Sequence, residues 1–293
     1  MKQKRSLNWL KPLPFLLPFL LVYLVFTVYP IAKGLQMSLF DWTLIEKKGF
    51  RGFDHYARLL EDPDFWSSLG NTMLFVILST PTMILLALGL ALLANIQTTL
   101  QSIFRGAFFI PSILSVSVIS YLAIFMLQPY TGFVNNAIQM FGTDAEPFWL
   151  NNPTLAWLSI VAVTLWWTVG FNLILFLTAL QDIPDQLYEA AEIDGATRTQ
   201  MFFKITLPQL VPIARVVLLL QVLASFKVFA QILLITDGGP GTATRPLIQY
   251  IYEIGFVRFD LGYASAMSYA LFFLLLLLSI AQIRGRGKEG SMI

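Results

Sequence analysis

The sequence predicts an all-α, polytopic membrane protein with about six transmembrane helices. Of its 293 residues, 57% are hydrophobic and only 12% are charged, about half the ~25% charged share of a soluble domain. Mean hydropathy is +0.70. Apolar runs also recur at about the ~20 residues needed to cross a hydrocarbon core, with short polar pieces between them.

The first run, 13–31, has no charged residue. Lys2, Lys4 and Arg5 precede it, as in a secretory signal. Its 19 residues exceed the ~7–15 of a signal core, and no small-x-small cleavage site follows. We therefore expect it to be retained as span one. The second span, 71–93, lies in a charge-free interval between Asp64 and Arg105. Spans three, four and six are placed at 106–127, 156–180 and 261–283. Span five, 207–235, contains Arg215 and Lys227. The longest pieces outside the membrane are 33–64, 128–153 and 237–260. None is large enough for a soluble domain, so 1–293 reads as a single membrane domain.

Orientation follows from Lys and Arg, which favour the cytoplasmic side. With the N-terminus inside, cytoplasmic segments carry Lys2, Lys4, Arg5, Lys11, Arg105, Arg198, Lys204, Arg284, Arg286 and Lys288. External segments carry Lys33, Lys47, Lys48, Arg51, Arg58, Arg245 and Arg258. That is ten against seven, with the inside segments shorter in total. Both termini are expected in the cytoplasm, with the segment between spans four and five. In 33–65, Tyr56, Leu59, Leu60 and Phe65 alternate with charges, so this piece is expected along the outer membrane surface.

Several functions are excluded by composition. There is no Cys and one His, His55, which removes thiol nucleophiles, Cys zinc sites and multi-His metal sites. No catalytic or metal residues are predicted. A net charge of +2 gives no reason to expect a nucleic-acid partner. The tail has Gly287–Lys288, but without the earlier Gly and the following Ser or Thr of a phosphate-binding loop. This chain is not expected to bind ATP or any other cofactor.

The cytoplasmic stretch "EAAEIDGATRTQMFFKITLP", Glu189–Pro208, departs from the apolar background. Pro184 suits a first helical turn, where Asp182 or Asp185 meets free N–H groups. Leu187, Tyr188 and Ala191 fall on one side. Gly195 tolerates the positive φ that ends a helix. A second short helix is expected at 198–205, with Pro208 leading back to the membrane. Small residues here permit close approach, and Glu189, Glu192 and Asp194 offer contacts to a cationic partner. A docking element and a solvated loop both fit these residues.

The same stretch resembles the EAA motif of binding-protein-dependent ABC transporter permeases: E-A-A, then D-G-A, an aromatic residue and I-x-L-P. The resemblance implies a cytoplasmic coupling helix between spans four and five that docks on an ATPase subunit. Glu189, Ala190, Ala191, Glu192, Asp194, Gly195 and Ala196 would make that contact. "DHYARLLEDPDFWSSLGNTMLF" and "FDLGYASAMSYALF" look like the starts of spans two and six in the sugar-transporting branch. "ASFKVFAQILLITDGGPGTATRPLIQYIYEIGF" resembles the end of span five and the next loop in maltose-type first permeases. The family pattern there is roughly F-K-x-F-D, and Ala230 stands where it has Asp, so Lys227 lacks a charge partner at that place.

Lys227 lies 12 residues beyond Arg215, or ~18 Å along a helix. An ionisable group inside the membrane costs at least ~2.5–3.5 kcal/mol on insertion scales and tends to face a cavity. Lys227 either lines a substrate path or snorkels outward. Arg215 reads as an interfacial anchor. Trp167, Phe171 and Asn172 from span four, with Phe226 and Lys227 from span five, form a candidate sugar path of aromatic faces and polar groups. Helix packing alone also explains these aromatics, and Gly170 suits close helix approach. The loop "TDGGPGTATRP" is either a connection or the site where Gly238, Gly239 and Pro240 meet an external binding protein.

The resemblance implies one permease subunit of an ATP-driven importer of sugars or oligosaccharides, in a bacterial cytoplasmic (inner) membrane. Its implied partners are a second permease, an ATPase dimer holding ATP and Mg, an extracytoplasmic solute-binding protein and membrane lipid. A secondary transporter acting alone would need paired repeats with broken helices. An integral membrane enzyme would need a catalytic group that His55 supplies poorly.

Overall fold

The computed structural model describes residues 13–43, 45–96, 101–142 and 146–284. The basic N-terminal cluster, the tail beyond Arg284 and hence both expected cytoplasmic ends lie outside the described residues. In chain order the helices are α1 (Leu13–Tyr23), α2 (Tyr29–Ser38), α3 (Asp54–Glu61), α4 (Pro63–Asn95), α5 (Gln101–Ile113) and α6 (Val116–Met126). There follow α7 (Phe133–Met140), α8 (Pro153–Gln181), α9 (Asp185–Ile193), α10 (Arg198–Met201) and α11 (Leu207–Phe226). The last are α12 (Ala230–Thr236), α13 (Leu247–Tyr252) and α14 (Leu261–Arg284). Strands β1 (Phe40–Trp42) and β2 (Lys47–Phe50) pair between α2 and α3. π-helical turns at Leu24–Val28 and Phe202–Thr206 join α1 to α2 and α10 to α11.

Among the described residues, five helices are long and apolar enough to cross a membrane: Pro14–Ser38, Pro63–Asn95, Pro153–Gln181, Arg198–Phe226 and Leu261–Arg284. The pair Ser102–Ile113 and Val116–Met126 makes a sixth if taken as one bent span. The expected count of about six is met, and the protein is an all-α, multi-pass membrane protein. The β1–β2 hairpin is its only sheet among the described residues.

The chain divides into two compact units. The first comprises the described residues of 1–62 with 251–277. Its helix Pro14–Ser38 presents an almost wholly exposed apolar surface, the signature of a span facing lipid. The hairpin pairs Phe40 with Phe50 and Trp42 with Lys47. His55 is buried, and its Nε2 donates to the Phe40 carbonyl at 3.1 Å. Tyr263 donates to Asp62 Oδ2 at 2.6 Å, and Arg58 pairs with Asp260 at 2.8 Å while covering the Tyr263 ring. Gly262 passes so near the Phe40 carbonyl that a Cβ there would overlap it, and it would lie 2.8 Å from His55 Nε2. The one histidine is thus part of a structural clamp.

The second unit comprises 63–250 with the described residues of 278–293. Asn152 caps α8 by accepting from Thr154 and Leu155 N–H, and Pro153 takes the first turn, where its missing donor costs nothing. The core lies where α4, α8 and α11 meet. Met83, Ala87, Ala91 and Ala94 on α4 pack with Val169, Leu173, Phe176, Leu177 and Leu180 on α8 and Leu210 and Val217 on α11. Alanines spaced by four and three residues let these backbones approach, as membrane helices require when lipid is as apolar as leucine. Gly170 does the same against α5: a Cβ there would overlap the Phe108 carbonyl oxygen and sit 2.7 Å from Phe109 Cα.

Three placements differ from expectation. Span three, expected as one stretch at 106–127, is two helices bent by 102°. Pro111 lies in the last turn of α5, and Ser115 caps α6 by accepting from Val118 N–H. Span five, expected at 207–235, ends its long helix at Phe226, and α12 begins only at Ala230. The short helix expected at 198–205 is the start of one 29-residue helix, Arg198–Phe226. Its π turn spans Phe202–Thr206, and Pro208 lies in the first turn of α11. Proline there removes a donor while the widened turn absorbs the misfit.

Candidate functional site

Helix α9 starts from Pro184 with no side-chain cap, so neither Asp182 nor Asp185 plays the capping part expected of it. Asp182 instead ends α8. Gly195 stands at φ +77° and donates to the Glu192 carbonyl, while Ala196 N–H reaches back to Ala191 O. These bonds close the helix as glycine-ended helices do. Thr197 and Gln200 then form a capping box that starts α10. Inward, Tyr188 packs on the core and its hydroxyl lies 2.8 Å from Thr206 Oγ1 in the π turn. Outward, Glu189, Ala190, Glu192, Asp194 and Gly195 are exposed, with Ala191 and Ala196 half-buried. Ile193 is 87% exposed among these acids. No ion pair engages Glu189, Glu192 or Asp194 among the described residues. The site is a rigid, acidic knob with an apolar tip, tied to the foot of a long membrane helix.

A cavity of about 380 Å³ lies where α4, α6, α8, α11 and α12 converge. Trp167 and Lys227 both line it. Its remaining wall includes Phe75, Thr164, Thr168, Gln221, Ser225, Phe229 and Gln231. The helix break at Lys227–Phe229 forms part of the wall, with Phe229 at φ −153°, ψ −72°. Trp167 also donates its indole N–H to the Leu114 carbonyl at 3.2 Å. That satisfies an acceptor left over by the bend between α5 and α6, which unpaired would be costly in the membrane.

The other three expected path residues do not line this cavity. Phe226 is 2% exposed and Phe171 is 52% exposed, and neither is in its wall. Asn172 is buried one layer behind, where its Nδ2 donates to Gln221 Oε1 at 3.3 Å. Gln221 Nε2 donates in turn to Ser225 Oγ at 3.3 Å, which lies 3.1 Å from Ser79 Oγ. On the far wall Gln231 Nε2 donates to Thr164 Oγ1 at 2.7 Å. Gln221, Ser225, Thr164 and Gln231 were missed by sequence reasoning that followed charge and aromatics. A signal was available: Gln221 and Ser225 are polar residues four apart in an apolar run, hence on one helix face.

The loop 236–246 is built rather than slack. Asp237, Gly238 and Gly241 all have positive φ. Asn71 donates to the carbonyls of Thr242 and Arg245, Trp157 donates to Ala243 O, and Thr244 donates to Gly239 O. Buried Arg245 pairs with Asp64 at 2.7 Å. Gly238 is buried, Gly239 and Pro240 are half-buried, and Asp237, Gly241 and Thr242 form the exposed tip.

Residues 64–284 match the family described as "Binding-protein-dependent transport system inner membrane component". The chain is 36% identical to the probable ABC transporter permease protein YurN of Bacillus subtilis (strain 168), over 96% of this chain and 98% of that protein. It is 33% identical to the sulfoquinovosyl glycerol transport system permease protein SmoG of Agrobacterium fabrum, covering 92% and 88%. It is 34% identical to the trehalose/maltose transport system permease protein MalF of Thermococcus litoralis, covering 92% and 91%. A chain of a bacterial ABC transporter involved in import of the acidic polysaccharide alginate superposes with TM-score 0.83 at 29% identity, covering 94% of each. A second, from the alginate transporter in complex with an alginate pentasaccharide-bound periplasmic protein, gives TM-score 0.80 at 30% identity, covering 92% and 91%. With this match over most of its length and these spans in place, the chain belongs to the binding-protein-dependent transport system inner membrane component family, the permeases of ABC transporters.

Proposed function

We propose that the chain, as one permease domain over 1–293, is a transmembrane subunit of an ATP-driven importer of a sugar or oligosaccharide. The sugar class is supported by the relatives, whose names specify sulfoquinovosyl glycerol and trehalose or maltose transport. An extracytoplasmic solute-binding protein delivers the solute, and a second permease completes the path. Catalysis of ATP hydrolysis belongs to a separate ATPase dimer, which holds ATP and Mg. The assembly sits in the bacterial cytoplasmic membrane with both termini of this chain inside.

The observation that carries this reading is α9. Its acids are exposed and free of ion pairs among the described residues, and Tyr188 ties it to the foot of Arg198–Phe226. Docked on an ATPase through Glu189, Ala190, Ala191, Glu192, Asp194, Gly195 and Ala196, it would transmit closure of that dimer to the helix carrying Gln221 and Ser225. Coupling then rests on each state binding its partners differently. Trp167 and Lys227 face the solute, Asn172 steadies Gln221, and Phe171 and Phe226 support the surrounding helices. The exposed tip beside Gly238, Gly239 and Pro240 receives the binding protein.

The test is co-purification followed by reconstitution. We expect the chain to purify with an ATPase and a second permease. In proteoliposomes with the binding protein, sugar uptake should require ATP. Uptake driven by an ion gradient in the absence of any ATPase would overturn the proposal.

A further inference from the structure

We propose that the solute carried through this cavity bears a negative charge, such as a uronate, sulfonate or phosphate on a sugar, and that Lys227 pairs with it. This inference rests on the function proposed above and names its substrate class.

Among the described residues, Lys227 is the one charged side chain lining the cavity, and no carboxylate lines it. It is exposed to that space and has no ion-pair or hydrogen-bond partner among the described residues. Its neighbour in the wall three residues on is Ala230, which cannot neutralise it. The other polar wall groups already have internal partners: Gln221 with Asn172 and Ser225, and Gln231 with Thr164. Among the described residues, the ammonium is thus the wall's one charged donor, with no internal partner for it. A cation held at a break in a membrane helix and partly enclosed by apolar walls attracts an anion more strongly than it would in open water.

Placement at the break is part of the reasoning. Lys227 ends α11, and its backbone N–H bonds to the Ala224 and Ser225 carbonyls. The side chain thus leaves the helix at its terminus, where it opens on the cavity rather than on lipid. Trp167 and Phe229 supply flat apolar faces to the same space, suited to the C–H surface of a sugar ring. Together these select a ring that carries an anionic group.

The test uses the complete importer with its binding protein in proteoliposomes. The probe is a pool containing neutral sugars and uronate, sulfo and phosphorylated sugars, offered together, with accumulated solutes identified by mass spectrometry. The wild type should accumulate charged members in preference to neutral ones. Lys227→Met should lower that uptake at least about tenfold, because a charge-assisted bond is lost, and Lys227→Arg should retain most of it. Ala230→Asp, which places a carboxylate beside the ammonium, should lower it too. It serves as the second variant should Lys227→Met fail to assemble. Selective accumulation of neutral sugars, or unchanged charged-sugar uptake in Lys227→Met, or in Ala230→Asp where the methionine variant does not assemble, would overturn this inference and leave the importer reading standing. Accumulation of no carbohydrate at all would overturn both.

Discussion

The Tyr188 hydroxyl lies 2.8 Å from Thr206 Oγ1, joining the acidic helix α9 to the π turn at the foot of Arg198–Phe226. Apart from backbone continuity, this bond and the packing of Tyr188 on the core hold the helix that carries the exposed acids against a span that reaches the cavity.

Tyr188→Phe keeps the ring and removes the hydrogen bond, which is worth about 1 kcal/mol net. Sugar uptake by the reconstituted importer should fall several-fold while ATP hydrolysis persists. Parallel loss of both activities would mean that the residue supports folding rather than coupling.

Gly195 takes φ +77°, and a Cβ there would meet nothing within 4 Å. The cost of substitution is thus backbone strain, about 1–2 kcal/mol for most residues, together with any obstruction of a docked partner. Gly195→Val should abolish uptake although the subunit still reaches the membrane, whereas Gly195→Asn, which tolerates this conformation, should retain part of it. Normal uptake by the valine variant would remove the coupling role.

Gly170→Ala should destabilise the folded subunit, because the added carbon overlaps backbone atoms of Phe108 and Phe109 that cannot rotate away. We expect a loss of about 1–3 kcal/mol, as for other overpacked sites. It is measurable as a lower unfolding temperature in detergent, and an unchanged midpoint would contradict the close approach of α5 and α8.

Asp64→Ala removes the carboxylate that pairs with buried Arg245 at 2.7 Å. Since Asp64 is itself half exposed, the loss should be about 1–2 kcal/mol, between the values for surface and buried pairs. Amide exchange at Thr244, Arg245 and Leu247 should accelerate. Exchange as slow as in the wild type would show that Asn71 and Trp157 hold the loop without the ion pair.

Much of the architecture is legible from hydropathy because a span must satisfy its backbone internally and bury apolar side chains in lipid over a fixed thickness. The runs at 71–93, 156–180 and 261–283 each fall within a helix of the structure, and 13–31 is covered by α1, its π turn and the start of α2. Gly195 is legible for a local reason, as the residue that accepts the left-handed turn ending α9. Breaks within apolar runs are less legible: Pro111 and Ser115 flank one and Lys227 begins the other, yet Pro81 sits inside the unbroken α4, so such residues do not by themselves mark a break. The same limit hid the cavity wall. Gln221 and Ser225 announce one helix face, but nothing local says that Asn172 and Ser79 meet it.

Composition and local pattern dictate the fold class, the approximate number of spans, the acidic turn between the fourth and fifth, and the presence of a lysine within an apolar run. These depend on composition and on contacts a few residues apart. That the lysine ends a helix and faces a cavity, instead of passing through a continuous span, follows from packing between distant helices. That outcome depends on α4, α6, α8 and α12 surrounding the break. It depends also on Trp167, which reaches from α8 to satisfy a carbonyl that the neighbouring bend leaves open. A broken helix persists in a membrane only where other parts of the chain supply its missing hydrogen-bond partners, and hydropathy along one segment carries no record of them.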